Sequence, residues 1–162
     1  MHQNSSLKSV FFPPQNNEIA SFKRGTFHSQ ANPDLSILDL SFNRITSIPY
    51  DTFRFAKLER LLLDDNQIWD IDSKAFVEMT ALRYLSLEGN RIRRLPDEAF
   101  QNLHYLSRLN LAFNELEILD FAAFDSIGTL SHLTIDLSHN ALQVIAMSEC
   151  MSGKIEVIKV IF

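Results

Sequence analysis

The sequence predicts an α/β repeat solenoid, in which each coil adds one short strand to a parallel β-sheet on the concave face and closes through irregular or short helical convex segments. Two observations predict this fold class. An asparagine recurs at intervals of 23 or 24 residues from Asn43 to Asn114. Apolar residues occupy fixed places around each asparagine, eight, five and three residues before it and two and five residues after it. Because one such unit cannot bury its apolar face alone, we expect successive units to stack around a continuous core.

Each position of the repeated unit has a physical reason. Apolar and intervening residues alternate from six to two places before the asparagine, which indicates a strand whose leucines face inward. The asparagine is expected to turn inward and to hydrogen-bond backbone groups that the bend leaves unpaired. This predicted asparagine ladder comprises Asn43, Asn66, Asn90, Asn114 and Asn140. Phenylalanines ten places after the asparagines are predicted to stack as a spine on the far side of the core, and these are Phe27, Phe53, Phe76, Phe100 and Phe124.

The repeat boundaries divide the chain into three segments. Residues 1–34 are predicted to form a degenerate first repeat with an irregular N-terminus, and residues 146–162 a divergent C-terminus with a truncated repeat start. Residues 35–145 are predicted to form five repeats, the last lengthened by two residues, with boundaries at 35–57, 58–81, 82–105, 106–129 and 130–145.

Both ends depart from the regular pattern. Alignment on Asn17 places Pro13 and Pro14 in the expected first strand, where proline is poorly tolerated. Near the other end, Ile158 and Val160 are predicted to stand five and three places before the next asparagine position. Neither end carries the polar cap that a solenoid needs, so the chain is expected to be a fragment of a longer array.

The concave face carries the candidate binding residues. Arg60, Tyr84 and Arg108 fall at the same place on three successive strands, about 5 Å apart per step. Asp64 and Glu88 lie four residues after the first two, and arginine and tyrosine are enriched at binding hot spots. The alternative is that these are solvated strand residues, with the arginines paired to the two carboxylates.

Composition and spacing argue against several function classes. The 162 residues carry a formal net charge of -5, which removes a broad electrostatic case for nucleic-acid binding. No apolar run is long enough for a membrane span, and the four glycines lie too far apart for a phosphate-binding loop. The histidines and the single cysteine lack metal-ligand spacing, and no nucleophile lies in a catalytic motif. The sequence therefore predicts no enzyme activity, no metal site and no cofactor.

Three isolated residues have a distinctive chemistry of their own. Asn4 begins a glycosylation sequon, which matters if the chain is secreted. Trp69 is predicted to pack on the next coil from the edge of a turn. Cys150 stands where the next spine phenylalanine is expected, and is predicted to be a buried apolar substitute.

Charge is banded along the chain. Residues 61–80 carry one lysine and five acidic residues, whereas residues 81–110 carry five arginines and three acidic residues. Residues 111–149 carry six acidic residues and neither lysine nor arginine. This alternation either helps two arrays to associate through complementary potential or marks a solvated face.

The 24-residue unit, with its phenylalanine ten residues after the asparagine, resembles the typical leucine-rich repeat of extracellular and cell-surface proteins. More narrowly, the chain is similar to the chaoptin-like cell-adhesion proteins of arthropod photoreceptors at 41–46, 58–68, 99–103, 128–131 and 138–140. The resemblance covers residues 22–145. It implies a parent protein tethered by a glycolipid to the extracellular face of the plasma membrane. Neither a signal peptide nor such an anchor is visible in this chain.

The repeat pattern and the resemblance leave three functions open. The first is cell adhesion through a protein partner, which includes homophilic binding to a second copy. The second is a ligand-binding ectodomain of a Toll-like or other receptor. The third is an intracellular repeat scaffold.

Overall fold

The computed structural model describes residues 8–11, 18–23, 25–28, 33–124, 127, 133–146 and 158–161. Within these ranges the strands in chain order are β1 (Ser9–Phe11), β2 (Phe27–His28), β3 (Ile37–Asp39), β4 (Ser47–Ile48), β5 (Phe53–Arg54), β6 (Arg60–Leu62), β7 (Asp70–Ile71), β8 (Tyr84–Ser86), β9 (Arg108–Asn110), β10 (Ile118–Asp120), β11 (Leu133–Asp136), β12 (Val144–Ala146) and β13 (Ile158–Ile161).

The predicted solenoid with a parallel sheet on its concave face is confirmed. Seven of these strands form that sheet in the order β1-β3-β6-β8-β9-β11-β13, and every neighbouring pair is parallel. The convex side is largely irregular. Its regular parts in the described ranges are the short parallel pairs β2·β5, β4·β7 and β10·β12 and one 3-10 helix, Phe121–Phe124.

Like positions of successive coils lie side by side, because the strands pair in register. Leu61 pairs with Leu38 on one side and with Leu85 on the other. The apolar side chains five and three places before the ladder asparagines are at most 1% exposed, and these are Leu38, Leu40, Leu61, Leu63, Leu85, Leu87, Leu109, Leu111, Ile135 and Leu137. The core is therefore one continuous stack that crosses every coil boundary.

The phenylalanines stack on the opposite side of that core. From Phe53 to Phe76 to Phe100 the ring centroids lie 6.3 and 6.4 Å apart, with the planes only 8° and 12° from parallel. Phe27 stacks on Phe53 at 5.6 Å, and Phe124 lies 5.1 Å from Phe100 with a tilted ring. The four rings after Phe27 are fully buried, so each large aromatic side chain packs mainly against the same residue of the neighbouring coil.

The two end strands lie two residues away from their predicted registers. Ser9 of β1 pairs with Ile37, so this strand begins two residues earlier than alignment on Asn17 predicts and ends before the two prolines. Proline cannot donate a hydrogen bond to a parallel ladder, which explains why the strand lies upstream. In β13, Val160 pairs with Ile135, whereas the sequence pattern assigns that place to Ile158. A shift of two residues leaves the same alternation of inward and outward positions, so the pattern alone does not exclude it.

The last repeat is also less buried than expected. Ile145 occupies the place five residues after a ladder asparagine, which is buried in the four preceding coils, yet it is 47% exposed. It pairs with Leu119 on one side, and no residue that the structure describes covers its other side.

A left-handed residue precedes each ladder asparagine. The φ angles of Phe42, Asp65, Gly89, Phe113 and His139 lie between 51° and 65°. This bend ends each concave strand and turns the following asparagine into the core. Only one of the five positions carries glycine, the residue that adopts this conformation most readily.

Candidate binding surfaces

The asparagine ladder joins each coil to the one before it. The side-chain amide of Asn90 donates to the carbonyls of Leu87 and Glu88 in its own coil, at 3.0 and 3.1 Å, and to that of Leu63 in the preceding coil, at 3.0 Å. Its oxygen accepts the Ile68 amide at 2.9 Å.

The equivalent contacts recur along the ladder. They are made by Asn66, Asn114 and Asn140. Asn43 donates to two carbonyls of its own coil and accepts the Ile19 amide of the preceding segment. These asparagines thus bond backbone groups in the interior, and they are not part of a solvent-facing site.

The outer row of the concave sheet brings the three candidate binding residues together. Arg60 pairs with Tyr84, and Tyr84 with Arg108, on the adjacent strands β6, β8 and β9. Both arginines are exposed and the tyrosine is half-buried. The Arg60 guanidinium carbon lies 5.0 Å from the centre of the Tyr84 ring, which is a cation–π contact.

The alternative expectation, that these arginines pair with Asp64 and Glu88, is wrong. The ion pairs within the described ranges involve other arginines and a lysine. The Glu88 carboxylate instead accepts a hydrogen bond from the Asn110 side chain at 2.7 Å, and Asp64 accepts the Glu88 amide at 3.0 Å. Both carboxylates are therefore partly occupied within the sheet, while the guanidinium groups remain open to a partner.

A row of polar side chains missed by sequence reasoning has a structural role. Asp39, Asn110 and Asp136 lie four places before their ladder asparagines, and each accepts the backbone amide two residues further on, at 2.9 to 3.0 Å. The third regular coil has Ser86 at this place, and there Asp64 of the preceding coil accepts the equivalent amide. The signal that could have found them is their common position, since short carboxylate and amide side chains readily bond a backbone amide two residues on.

Burial raises the pKa of Asp64 above its ordinary value. The nearby carboxylates of Glu88 and Asp65 raise it further, because like charges disfavour ionisation. The Ser86 hydroxyl and the Glu88 amide act on the pKa in the opposite direction, in that order of size, and do not cancel the shift. The ionised side chain is thus held at a cost to the folded state.

The concave row borders a shallow cavity of about 340 Å³. Tyr84, Arg108, Asn110, Thr134 and Asp136 contribute to its lining. A phenol ring, a guanidinium, an amide and a carboxylate within one open depression match the mixed chemistry of a protein surface.

A second cavity of about 680 Å³ is formed by side chains that follow the ladder asparagines by one to four residues in the sequence. It is lined by Trp69, Asp70, Arg91, Arg93, Arg94 and Glu115. Arg93 pairs with Glu115 at 3.0 Å across the coil boundary, and both side chains are solvent-exposed.

The expectation that Trp69 packs on the next coil is wrong, because its side chain is 63% exposed on the rim of this second cavity. Three places after the other ladder asparagines stand Thr46, Arg93, Glu117 and Gln143. Because all four equivalent residues are polar, this position in the sequence indicates that the Trp69 side chain is exposed to solvent.

The remaining predicted sites fall outside these surfaces. Asn4 of the sequon and Cys150 lie outside the described residues. No group of three or more histidine, cysteine, aspartate or glutamate side chains within the described ranges is arranged to hold a metal ion. Among those same residues, no helix has the length and apolar character needed to cross a membrane.

Comparison with known proteins adds evidence about the family. The leucine rich repeat family model matches in four overlapping segments, residues 15–68, 33–92, 56–116 and 85–142. The mouse protein "Leucine-rich repeats and immunoglobulin-like domains protein 3" is 34% identical over 86 residues, which cover 49% of this chain and 8% of that protein. Its human counterpart is 33% identical over 78 residues, covering 48% and 7%. The chain thus spans less than a tenth of the length of these curated relatives.

Two solved structures share the fold. A chain from the TLR13–ssRNA13 complex superposes with a TM-score of 0.59 at 24% identity, over 72% of this chain and 19% of that one. A chain from the Toll–Spatzle complex of Drosophila gives a TM-score of 0.52 at 24% identity, over 74% and 21%.

Proposed function

Because this chain belongs to the leucine-rich repeat family, we propose that it is a protein-binding module of a cell-surface adhesion protein of the chaoptin type. The five repeats of residues 35–145 form the module, and its concave face makes the contact. The parent protein stands on the extracellular face of the plasma membrane. The role is binding and not catalysis.

The row formed by Arg60, Tyr84 and Arg108 is the observation that carries the proposal. Its two guanidinium groups are exposed and lie outside every ion pair of the described residues. The cation–π contact with Tyr84 orients Arg60 before a partner arrives, so less side-chain entropy is lost on binding. Tyrosine and arginine in one row supply the residue types that dominate binding energy at protein interfaces.

Beads coated with the 162-residue chain test adhesion and assign it to a face. Adhesion predicts that coated beads clump with one another and that R60A/Y84A reduces the clumping at least tenfold. The matched control is R83A/Y105A. It removes the same two residue types and a similar cation–π contact of 5.6 Å, just ahead of β8 and β9 instead of on the concave row. Equal clumping of both double variants would contradict the concave-face assignment.

A receptor ectodomain that captures a soluble ligand is the second candidate. The Toll chain was solved in complex with Spatzle, and the TLR13 chain in complex with ssRNA13. A receptor predicts no bead clumping but saturable capture of a soluble protein, lost in R60A/Y84A and kept in R83A/Y105A.

Location separates both surface functions from an intracellular scaffold. An antibody against residues 58–100 is expected to stain unpermeabilised cells, because the proposed parent protein faces the outside. Staining that appears only after permeabilisation would contradict both surface functions and support the scaffold.

A further inference from the structure

One flank of the solenoid carries a self-complementary pattern. We define the flank as the residues one, three and four places after the ladder asparagines of repeats two to five. Its four rows are Gln67, Trp69 and Asp70; Arg91, Arg93 and Arg94; Glu115, Glu117 and Ile118; Ala141, Gln143 and Val144. A basic row thus lies beside an acidic row, and each is bordered by a row that carries an exposed apolar side chain.

The rows are held in register by the backbone. The first residue of each row donates its amide to a carbonyl of the preceding coil, so successive rows lie side by side; for Arg91 and Glu115 these bonds measure 2.9 and 3.0 Å. The Arg93–Glu115 ion pair joins the two charged rows directly. Adjacent rows are about 5 Å apart, which is the spacing of neighbouring strands.

We propose that the flank binds a second copy of this chain across a two-fold axis that lies between the basic row and the acidic row. A rotation of half a turn about an axis parallel to the rows inverts their order in the second copy. The second row then lies opposite the third, and the first row lies opposite the fourth. The basic row of one copy then faces the acidic row of the other, and the same contact occurs twice. Arg91 faces Glu115 of the second copy, and Arg93 faces its Glu117.

The outer rows fit the same operation. Trp69 is 63% exposed, and the rotation brings it opposite Gln143 and diagonally beside Val144, which is 49% exposed and itself lies opposite Asp70. Ile118, 46% exposed, comes opposite the arginine row, where it packs against the aliphatic stem of Arg94. One operation therefore pairs charges in the centre and covers the apolar side chains at both ends.

The charges already present do not oppose this contact. The Arg93–Glu115 pair is solvent-exposed, and exposed ion pairs contribute little, so either partner can exchange it for an intermolecular pair. A long polyanion fits the flank less well, because the arginine row is bordered by Asp70 on one side and by Glu115 and Glu117 on the other. A surface with the same alternation, as in a second copy, matches both signs of charge.

The flank is about 20 Å long, which is the scale of a transient contact and not of a permanent dimer. Side-by-side contacts of this kind strengthen when many copies are held on one surface. The inference adds a second interaction surface to the proposed concave-face function and does not depend on it.

A charge exchange tests the proposal with the full chain in solution. Sedimentation velocity over a concentration series is expected to show self-association of the unmodified chain that weakens with added salt. R91E/R93E makes all four central positions acidic and E115R/E117R makes them all basic, so each variant alone is expected to associate at least tenfold more weakly. An equimolar mixture of the two variants is expected to restore association, which misfolded variants would not do.

Two further measurements separate this contact from other sources of association. W69A removes an outer contact without a change of charge, and is expected to weaken self-association several-fold. R60A/Y84A leaves the flank intact and is expected to leave self-association unchanged, even if it abolishes bead clumping. A mixture of charge variants that associates no more strongly than either alone would overturn the proposal. The proposal would also be overturned if the chain did not self-associate but bound heparin, and if R91E/R93E abolished that binding.

Discussion

Replacement of Asn90 by leucine tests how much the hydrogen bonds of a ladder asparagine contribute to the stability of the fold. The side chain bonds three carbonyls and one amide, but these four groups are affected unequally by its loss. The carbonyl of Leu63 keeps a bond from Asn66, and that of Leu87 keeps one from Asn114. The third carbonyl keeps the Asp65 amide. The Ile68 amide, inside the core, loses the acceptor that Asn90 provides.

The expected cost therefore comes mainly from one buried amide. A buried backbone group without a partner costs about 1–3 kcal/mol, whereas carbonyls that keep one bond lose much less. We expect N90L to lower the free energy of unfolding by about 1–3 kcal/mol, a range set by how much the leucine gains from burial.

The matched control is Asn140→Leu at the last rung of the ladder. Asn140 makes the same type of bonds, including acceptance of the Leu116 amide at 3.0 Å. Its side chain is half-buried, so water can reach the amide that the substitution exposes. We expect N140L to cost less than N90L, although the same atoms are exchanged.

Urea titration followed by circular dichroism gives both free energies, and amide exchange at Ile68 locates the effect. Exchange at this amide is expected to accelerate in N90L and to stay slow in N140L. A third variant, N90D, keeps an acceptor but places a carboxylate against three carbonyl oxygens; its defect is expected to shrink as pH falls and the carboxyl becomes a donor. Equal costs for N90L and N140L, with slow exchange at Ile68 in both, would refute the reasoning.

Three other outcomes are expected. Phe100→Ala should cost about 3–5 kcal/mol in the same titration, because a fully buried ring between two others is lost, and Phe27→Ala should cost less at the half-buried end of the spine. Asp64→Asn should raise the melting temperature at neutral pH. Since the folded pKa is raised, that advantage should shrink as pH falls through the raised pKa and vanish below the ordinary value of 3.8; an advantage that is constant with pH would contradict the shift. Gly25→Ala should cost about 1–2 kcal/mol for its φ of 65° alone. Gly89→Ala should cost about the same, because the oxygen that lies 2.6 Å from its added carbon ends the flexible, exposed Asp65 side chain and can rotate away; a clearly larger cost would mean that this carboxylate is held in place.

The repeat period predicted most of the fold, because a stacked coil converts a position in the sequence directly into a place in space. Leucines five places before successive asparagines, such as Leu61 and Leu85, had to lie side by side once the strands paired in register. The register of the end strands was not accessible in this way. A displacement of two residues, as seen for Val160 in β13, leaves the alternation of a strand unchanged, so the sequence pattern does not distinguish the two registers.

The sequence did not predict which side chains of the concave sheet can contact a partner, because contacts with the neighbouring coil determine this. In the third regular coil, the place four residues before the ladder asparagine carries Ser86. The Glu88 amide of that coil is therefore bonded by Asp64 of the preceding coil. Arg60 contacts the Tyr84 ring of the next coil, whereas Asp64 and Glu88 accept hydrogen bonds from other groups of the sheet. The left-handed bend before each asparagine was equally hidden, because Phe42 and Phe113 occupy it as well as Gly89 does.

The direction of the inter-coil bonds governs how the module responds to pulling. Strand and ladder hydrogen bonds run from coil to coil along the solenoid axis, so tension along that axis peels the terminal coil first and loads the next only afterwards. A released coil of about 24 residues lengthens by about 80 Å when extended, against the roughly 5 Å that it occupied. A protein pulled through these coils therefore lengthens in discrete steps, and each step relaxes the force before the following coil is lost.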